Sequence, residues 1–169
     1  MKALILLADQ FEDLELYYPW FRLLEEQATV TLAAPGIRYC KGLHGLRVEP
    51  DVPMDEVNPS EYELLIIPGG YAPATLRLNE TAVAIARNFM EEERTVAALS
   101  HGPQLLLSAG ALNGRRLACA ASIRDDVRAA GAEYRPEGIV VDGNLVTCRG
   151  TDDLPRFCHT LLDVIHTRA

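Results

Sequence analysis

Three short clusters hold the side chains with reactive potential in this 169-residue chain. Ser100-His101-Gly102-Pro103 follows the small apolar run Ala97-Ala98-Leu99. A strand, a nucleophile-type residue, one further residue, a glycine and a helix start together read as a nucleophile elbow, a sharp turn that lifts one side chain off a sheet. The alternative for Ser100 is a plain helix N-cap. As a nucleophile it needs help, because a serine hydroxyl is un-ionised at pH 7 and requires an adjacent base. Neighbours in sequence rarely face one another on regular elements. His101 is therefore expected to contribute its backbone N–H as an oxyanion donor, and its ring need not touch Ser100. Glu12 and Glu15 stand three apart at a helix start, roughly on one face. Acidic residues favour helix N-termini for dipole reasons alone; the other reading makes Glu15 a general base, which requires burial that raises its pKa toward neutrality. Pro68-Gly69-Gly70 is either a turn or a place where backbone N–H groups approach a reacting oxygen.

These clusters need elements to position them, and the chain alternates strand-like and helix-like patterns. Apolar runs at 3–8, 29–34, 64–67, 96–99 and 117–121 have strand length. Leu14, Tyr17, Tyr18, Phe21 and Leu24 recur at helical spacing and predict a core-facing stripe, although Pro19 cannot donate to the Glu15 carbonyl and should kink that helix unless it starts late. Such a kink would push Glu15 toward the sheet's carboxyl edge. The Gly- and Pro-rich stretch 38–53 reads as irregular loop or a short hairpin. Asn79 is a cap for a helix to about Glu92, Pro103 opens a helix that Gly110 ends, and Ser122 is expected to cap a helix ended by Gly131. Asp142-Gly143-Asn144 between apolar runs signals a hairpin, and Asp152 or Asp153 opens a last helix to about Ile165. Buried strands alternating with helices imply a doubly wound α/β sandwich with a mostly parallel sheet, whose ligands bind beyond the carboxyl ends of the strands. All three reactive clusters follow strands.

Composition limits the partners. The chain is one domain's worth, 49% apolar and 24% charged, with a net charge of −8. An acidic chain without a basic block is a poor partner for nucleic acid or an anionic membrane surface. The N-terminal apolar run is too short for a signal-peptide core or a membrane span. Cys40, Cys119, Cys148 and Cys158 contain no C-x-x-C spacing and predict reduced, mostly buried thiols in a cytoplasmic protein. Cys119 is expected as a buried strand thiol, and His44 sits in a loop able to approach the site. His159 and His166 have no accompanying carboxylate constellation, so no metal and no organic cofactor are expected. The loop after the first strand has four carboxylates and no glycine, which disfavours a bound nucleotide or flavin phosphate. A phosphoacceptor domain would need an Asp where Pro68-Gly69-Gly70 stands.

The chain resembles the PfpI/ThiJ superfamily over nearly its whole length. The resemblance rests on Phe11-Glu-Asp-Leu-Glu15 with Tyr18-Pro19, His44-Gly45, Pro68-Gly69-Gly70, Arg77-Leu-Asn-Glu80, His101-Gly-Pro-Gln104, Ser108-Ala-Gly110, Ile123-Arg-Asp-Asp126 and Val140-Val-Asp-Gly-Asn144. It implies a flavodoxin-like sandwich of the class I glutamine amidotransferase type, spanning 1–169 as a single domain. It also implies homo-oligomers (dimers or hexamers) and peptidase, glyoxalase or deglycase chemistry on peptides or small carbonyl compounds, in proteins linked to stress. The family's elbow cysteine is hydrogen-bonded to a helix glutamate that falls on Glu15, and its oxyanion donors fall on Gly70 and His101. The expected site is thus Ser100, His101 and Glu15, with Gly70 and His101 N–H for the oxyanion and Glu12 and Gly69 in support.

Three positions depart from the family. The elbow holds Ser100 in place of cysteine. Ala74 stands where the proteases carry a glutamate offered to a neighbouring subunit's histidine, and Ala120 where they carry a tyrosine. A thiol has a pKa of about 8.5 that elbows lower further, so Ser100 weakens the expected chemistry and removes redox sensing there. The competing expectation is a non-catalytic stress-response or binding protein on the same scaffold. Leu16, Trp20 and Leu23 add apolar surface to the first helix outside its stripe, which predicts burial on two sides and at least a dimer.

Overall fold

The computed structural model describes residues 1–36 and 38–168. In chain order, β1 (Lys2–Leu6) leads into α1 (Asp13–Glu25) and β2 (Thr29–Ala34). β3 (Cys40–Lys41) and β4 (Arg47–Val48) form a small antiparallel hairpin before β5 (Val52–Pro53). Next come β6 (Leu64–Ile67), α2 (Ala72–Leu76), α3 (Glu80–Glu91), β7 (Thr95–Leu99) and α4 (Pro103–Ser108). The last part holds β8 (Arg116–Leu117), α5 (Arg124–Ala129), β9 (Glu133–Tyr134), β10 (Ile139–Asp142), β11 (Leu145–Cys148) and α6 (Leu154–Arg168).

Seven strands form the main sheet in the order β10-β11-β7-β6-β1-β2-β5, parallel except for the antiparallel edge strand β10. This is the doubly wound α/β arrangement the alternating pattern predicts. β6, β7 and β11 are buried at every position, as strands covered on both faces must be. The chain steps from β1 to β2 in one direction and from β6 to β7 in the other. Right-handed crossovers therefore place α1 and α3 on opposite faces. α6 packs beside α1, and α4 beside α3. Because the six parallel strands run the same way, the segments after β1, β6 and β7 emerge at one edge, and the three reactive clusters meet there.

Local chemistry explains most boundaries. Asn79 caps α3 by accepting from Ala82 N–H at 2.9 Å. β10 and β11 pair with Asp142 opposite Leu145, around a Gly143 with φ +58°, as the Asp-Gly signal requires. The stretch 38–53 contributes the β3–β4 hairpin and an edge strand.

Several expectations need correction. Residues 117–121 do not form a fifth strand of the main sheet. Only Arg116–Leu117 is extended, in a separate parallel pair with Glu133–Tyr134. The chain then leaves ladder geometry because Ala118 N–H donates to the Thr147 hydroxyl and Ala120 N–H to the Ser100 carbonyl, both at 2.9 Å. Cys119 is buried but lies outside any strand. Ser122 does not cap α5; it lies within a 3-10 turn, Ala121–Ile123, and α5 starts after it with no side-chain cap. α1 runs through Pro19 as one helix. Its two apolar faces are also exchanged: Leu16, Pro19 and Leu23 are buried, whereas Leu14 (55% exposed), Tyr18, Phe21 (55%) and Leu24 face outward. Both stripes have helical spacing, and packing against the sheet and α6 selects between them. The turn after β6 is followed at once by the short helix α2, which carries Pro73 near its start, where a missing N–H costs nothing.

Candidate active site

The strand-to-helix turn after β7 is tight. Ser100 has φ +55°, a left-handed conformation that non-glycine residues rarely adopt. The surroundings hold it there: Ser100 N–H donates to the Cys148 carbonyl at 2.8 Å, its carbonyl accepts from Ala120 N–H, and Gly102 N–H closes the turn on Leu99 at 2.6 Å. Strain so over-determined is typical of functional turns.

Glu15 reaches the same point from the first turn of α1. It is 2% exposed, and its Oε2 accepts the Gly69 N–H at 2.8 Å. The fit is close. A Cβ on Gly69 would collide with Glu15 Oε2 and lie 2.9 Å from Ser100 Cβ. Gly70 adopts φ +78°, and a side chain there would strike the Gln10 carbonyl, so both positions of the pair require glycine. Burial raises the Glu15 pKa from 4.5 to about 7, and the charge of Glu12 adds to the rise; the Gly69 N–H and the Ser100 hydroxyl oppose it. The burial condition for a general base is therefore met.

Among the described residues, no protein acceptor meets the backbone N–H of Gly70 or of His101. Two unspent donors thus flank the elbow. The His101 ring does contact Ser100, contrary to the expectation from sequence adjacency: Nδ1 lies 3.2 Å from Ser100 Oγ and Nε2 lies 2.8 Å from Ser122 Oγ. The adjacency rule holds for regular helices and strands, and the left-handed Ser100 is neither. Burial lowers the His101 pKa, which favours the neutral ring.

Glu12 is the N-cap of α1, accepting from Leu14 N–H at 3.3 Å, and it also meets His44 Nε2 at 3.1 Å. The loop carrying His44 does approach the site. Its anchor is the buried Asp13, which accepts the N–H groups of His44 at 2.9 Å and Leu46 at 3.0 Å. Asp13 and Ser122 are the positions whose roles the sequence does not reveal. Asp13 is one carboxylate among four in its loop, and Ser122 has the residue type and placement of a helix cap. A cleft of about 530 Å³, lined in part by Gln10, Arg38, Tyr39 and Lys41, borders the Gly70 segment, since the Gln10 carbonyl accepts Tyr71 N–H at 2.8 Å.

The four cysteine thiols are not reactive candidates. All are buried and unpaired, and burial pushes Cys40 up to about 11 and Cys119, Cys148 and Cys158 to about 12. Ala74 is exposed on α2, and Ala120 contributes to the site only through its backbone. Among the described residues, no group of three or more His, Cys, Asp or Glu side chains has the arrangement to hold a metal ion. Among the described residues, no helix is long and apolar enough to cross a membrane.

The DJ-1/PfpI family model matches residues 1–164. Deglycase PfpI of Pyrococcus furiosus is 48% identical over 154 residues, covering 91% of this chain and 93% of that protein. YraA of Bacillus subtilis, provisionally named a cysteine protease, is 35% identical over 166 residues, covering 97% of this chain and 98% of that one. Among solved structures, a two-domain protein of Anabaena variabilis, with DJ-1/ThiJ/PfpI-like and ferritin-like domains, superposes with a TM-score of 0.96 at 34% identity. The match covers 98% of this chain and 50% of that protein.

Proposed function

Because this chain belongs to the DJ-1/PfpI family, we propose that it performs the family's hydrolase or deglycase chemistry with Ser100 as nucleophile and Glu15 as general acid–base. The supporting observation is Glu15 itself: a buried carboxyl raised to about 7, packed against Gly69 beside the elbow hydroxyl. A base poised near the working pH is half available to accept a proton and half available to return one.

The steps follow from the geometry. Ser100 Oγ bonds to the carbonyl carbon of a peptide or small carbonyl compound. Its proton passes to the Glu15 carboxylate, and the carbonyl π pair moves onto oxygen. The free N–H groups of Gly70 and His101 hold that oxyanion. With a peptide, Glu15 returns the proton to the leaving amine as the adduct collapses to an ester on Ser100. With a 2-oxoaldehyde, Glu15 instead carries the adduct's C–H proton to the adjacent ketone carbon, giving a 2-hydroxyacyl ester. In both, water gives its proton to Glu15, adds to the ester carbonyl and releases the acid as Ser100 Oγ takes that proton back. Gly69 holds Glu15 in place through its N–H, and burial, with the charge of Glu12 adding to it, keeps the Glu15 pKa high.

Turnover of methylglyoxal and of a fluorogenic peptide tests the reading. Activity should vanish in Ser100→Ala and rise in Ser100→Cys, because a thiol ionises far more readily than a hydroxyl. Absence of turnover by both the protein and folded Ser100→Cys overturns the reading in favour of a non-catalytic binding protein.

The assembly follows from α1. Leu14, Tyr18, Phe21 and Leu24 form a continuous outward apolar stripe, beside a Tyr17–Trp20–Phe21 aromatic cluster. A contiguous patch of this kind marks an interface more often than free surface, and a second copy of the chain is its proposed occupant. Light scattering at micromolar concentration should show at least a dimer, and Phe21→Glu should shift it to monomer. Four buried, unpaired thiols support work in a reducing, cytoplasmic setting.

A further inference from the structure

Both ring nitrogens of His101 are engaged, and the partner on the far side is a residue 21 positions downstream. Nδ1 faces Ser100 Oγ at 3.2 Å and Nε2 faces Ser122 Oγ at 2.8 Å. A neutral imidazole has one N–H and one lone pair, and the partner of one nitrogen sets the state of the other. Ser122 is exposed, so its own proton can turn to water while its oxygen accepts the Nε2–H. Two backbone bonds locate it. Ala120 N–H donates to the Ser100 carbonyl at 2.9 Å, and Ile123 N–H closes the 3-10 turn on the Ala120 carbonyl at 3.1 Å. Ile123 is buried and anchors the turn. The segment bearing Ser122 is thus tied to the same elbow residue that His101 addresses.

We infer that Ser122 is a positioning residue: it accepts the Nε2–H of His101 and so turns the Nδ1 lone pair onto the Ser100 hydroxyl, giving that hydroxyl a second proton acceptor besides Glu15. The inference rests on the reading of Ser100 as nucleophile. In the step it serves, Ser100 Oγ bonds to the carbonyl carbon, the Ser100 proton moves to Nδ1, and the π pair moves to the carbonyl oxygen. The resulting imidazolium keeps its Nε2–H on Ser122. On collapse of a peptide adduct, Nδ1 returns the proton to the leaving amine, and the ester left on Ser100 is then hydrolysed by water.

Long-range ¹H–¹⁵N NMR of His101 in the full-length protein, at a pH where the ring is neutral, reads the tautomer directly. It is paired with steady-state kinetics of Ser122→Ala and Ser122→Thr. The expected result is an Nε2–H tautomer in the unmodified protein and a mixture in Ser122→Ala. kcat should fall about five- to tenfold with KM unchanged, the worth of one neutral hydrogen bond, and Ser122→Thr should restore both readouts. A resting Nδ1–H tautomer, tautomer populations unmoved by Ser122→Ala, a loss confined to KM, or no rescue by threonine overturns the inference. If the protein has no turnover, the proposed activity fails, and the NMR result alone decides whether Ser122 orients His101.

Discussion

The two edges of the main sheet handle buried polar groups in opposite ways. At the amino edge, most polar side-chain atoms are committed to one another or to backbone carbonyls. Asn144 Nδ2 donates to the Arg94 carbonyl at 2.9 Å, and its Oδ1 accepts from Arg115 at 3.0 Å. Arg115 Nε donates to Asp142 at 2.8 Å, and Arg94 donates to the Tyr62 carbonyl at 2.7 Å. Burial pushes the Asp142 pKa up, but Arg115 and Arg116 outweigh it and hold the carboxyl below its usual value. At the carboxyl edge, among the described residues, Glu15 has no cation to offset its burial and rises to about 7, while the N–H groups of Gly70 and His101 meet no protein acceptor. A carboxylate with counter-charges is a fixed structural anion. One without them can exchange a proton near neutral pH. The amino edge therefore contributes stability, and the carboxyl edge gives some up by burying Glu15 without a counter-charge.

Substitutions at each edge separate these roles. Ser100→Ala should cost the largest effect, at least about 10³-fold in kcat/KM, while urea unfolding changes by less than about 1 kcal/mol. A matching loss of stability would erase the distinction between the edges. Glu15→Gln should stabilise the protein by up to about 3 kcal/mol above pH 7. The sign follows from the raised native pKa. Between about 4.5 and 7 the folded state binds more protons than the unfolded state, so stability falls as pH rises through that window. The gain from Glu15→Gln should vanish below pH 4.5, as unfolding curves across pH will show. Asn144→Ala should destabilise by about 2 kcal/mol, because it strands the Arg94 carbonyl and an Arg115 donor, with kcat/KM unchanged. Asp142→Asn should have the smallest effect, about 1 kcal/mol at neutral pH. Its pH dependence runs opposite to that of Glu15: the native pKa is depressed, so the stabilisation is present above the unfolded value of 3.8 and is lost as pH falls through the native one.

The order of strands and helices was legible because it depends on local signals. Apolar runs bounded by Pro68-Gly69-Gly70, the Asn79 cap and the Asp142-Gly143-Asn144 turn mark where elements stop and start. The expected strand at 117–121 failed for the opposite reason. Its run is apolar, but its N–H groups are claimed by Thr147 and Ser100, residues remote in sequence. The exchanged faces of α1 make the same point, since two stripes of equal periodicity cannot be ranked without knowing what packs against each.

For the site, the chain itself determined the elbow, the glycine pair and the presence of a glutamate in the first turn of the helix after β1, because residue type and spacing along a strand–turn–helix unit are local properties. Only the tertiary structure decided what those groups can do. The pKa of Glu15 is set first by its burial, then by the Gly69 N–H that lowers it, the Glu12 charge that raises it and the Ser100 hydroxyl that lowers it, all brought round the carboxyl by the fold. The orientation of His101 depends on Ser122, brought near by a turn that the backbone of Ala120 ties to Ser100. Local pattern sets which groups arrive at the sheet edge; long-range packing sets their protonation and the direction in which they point.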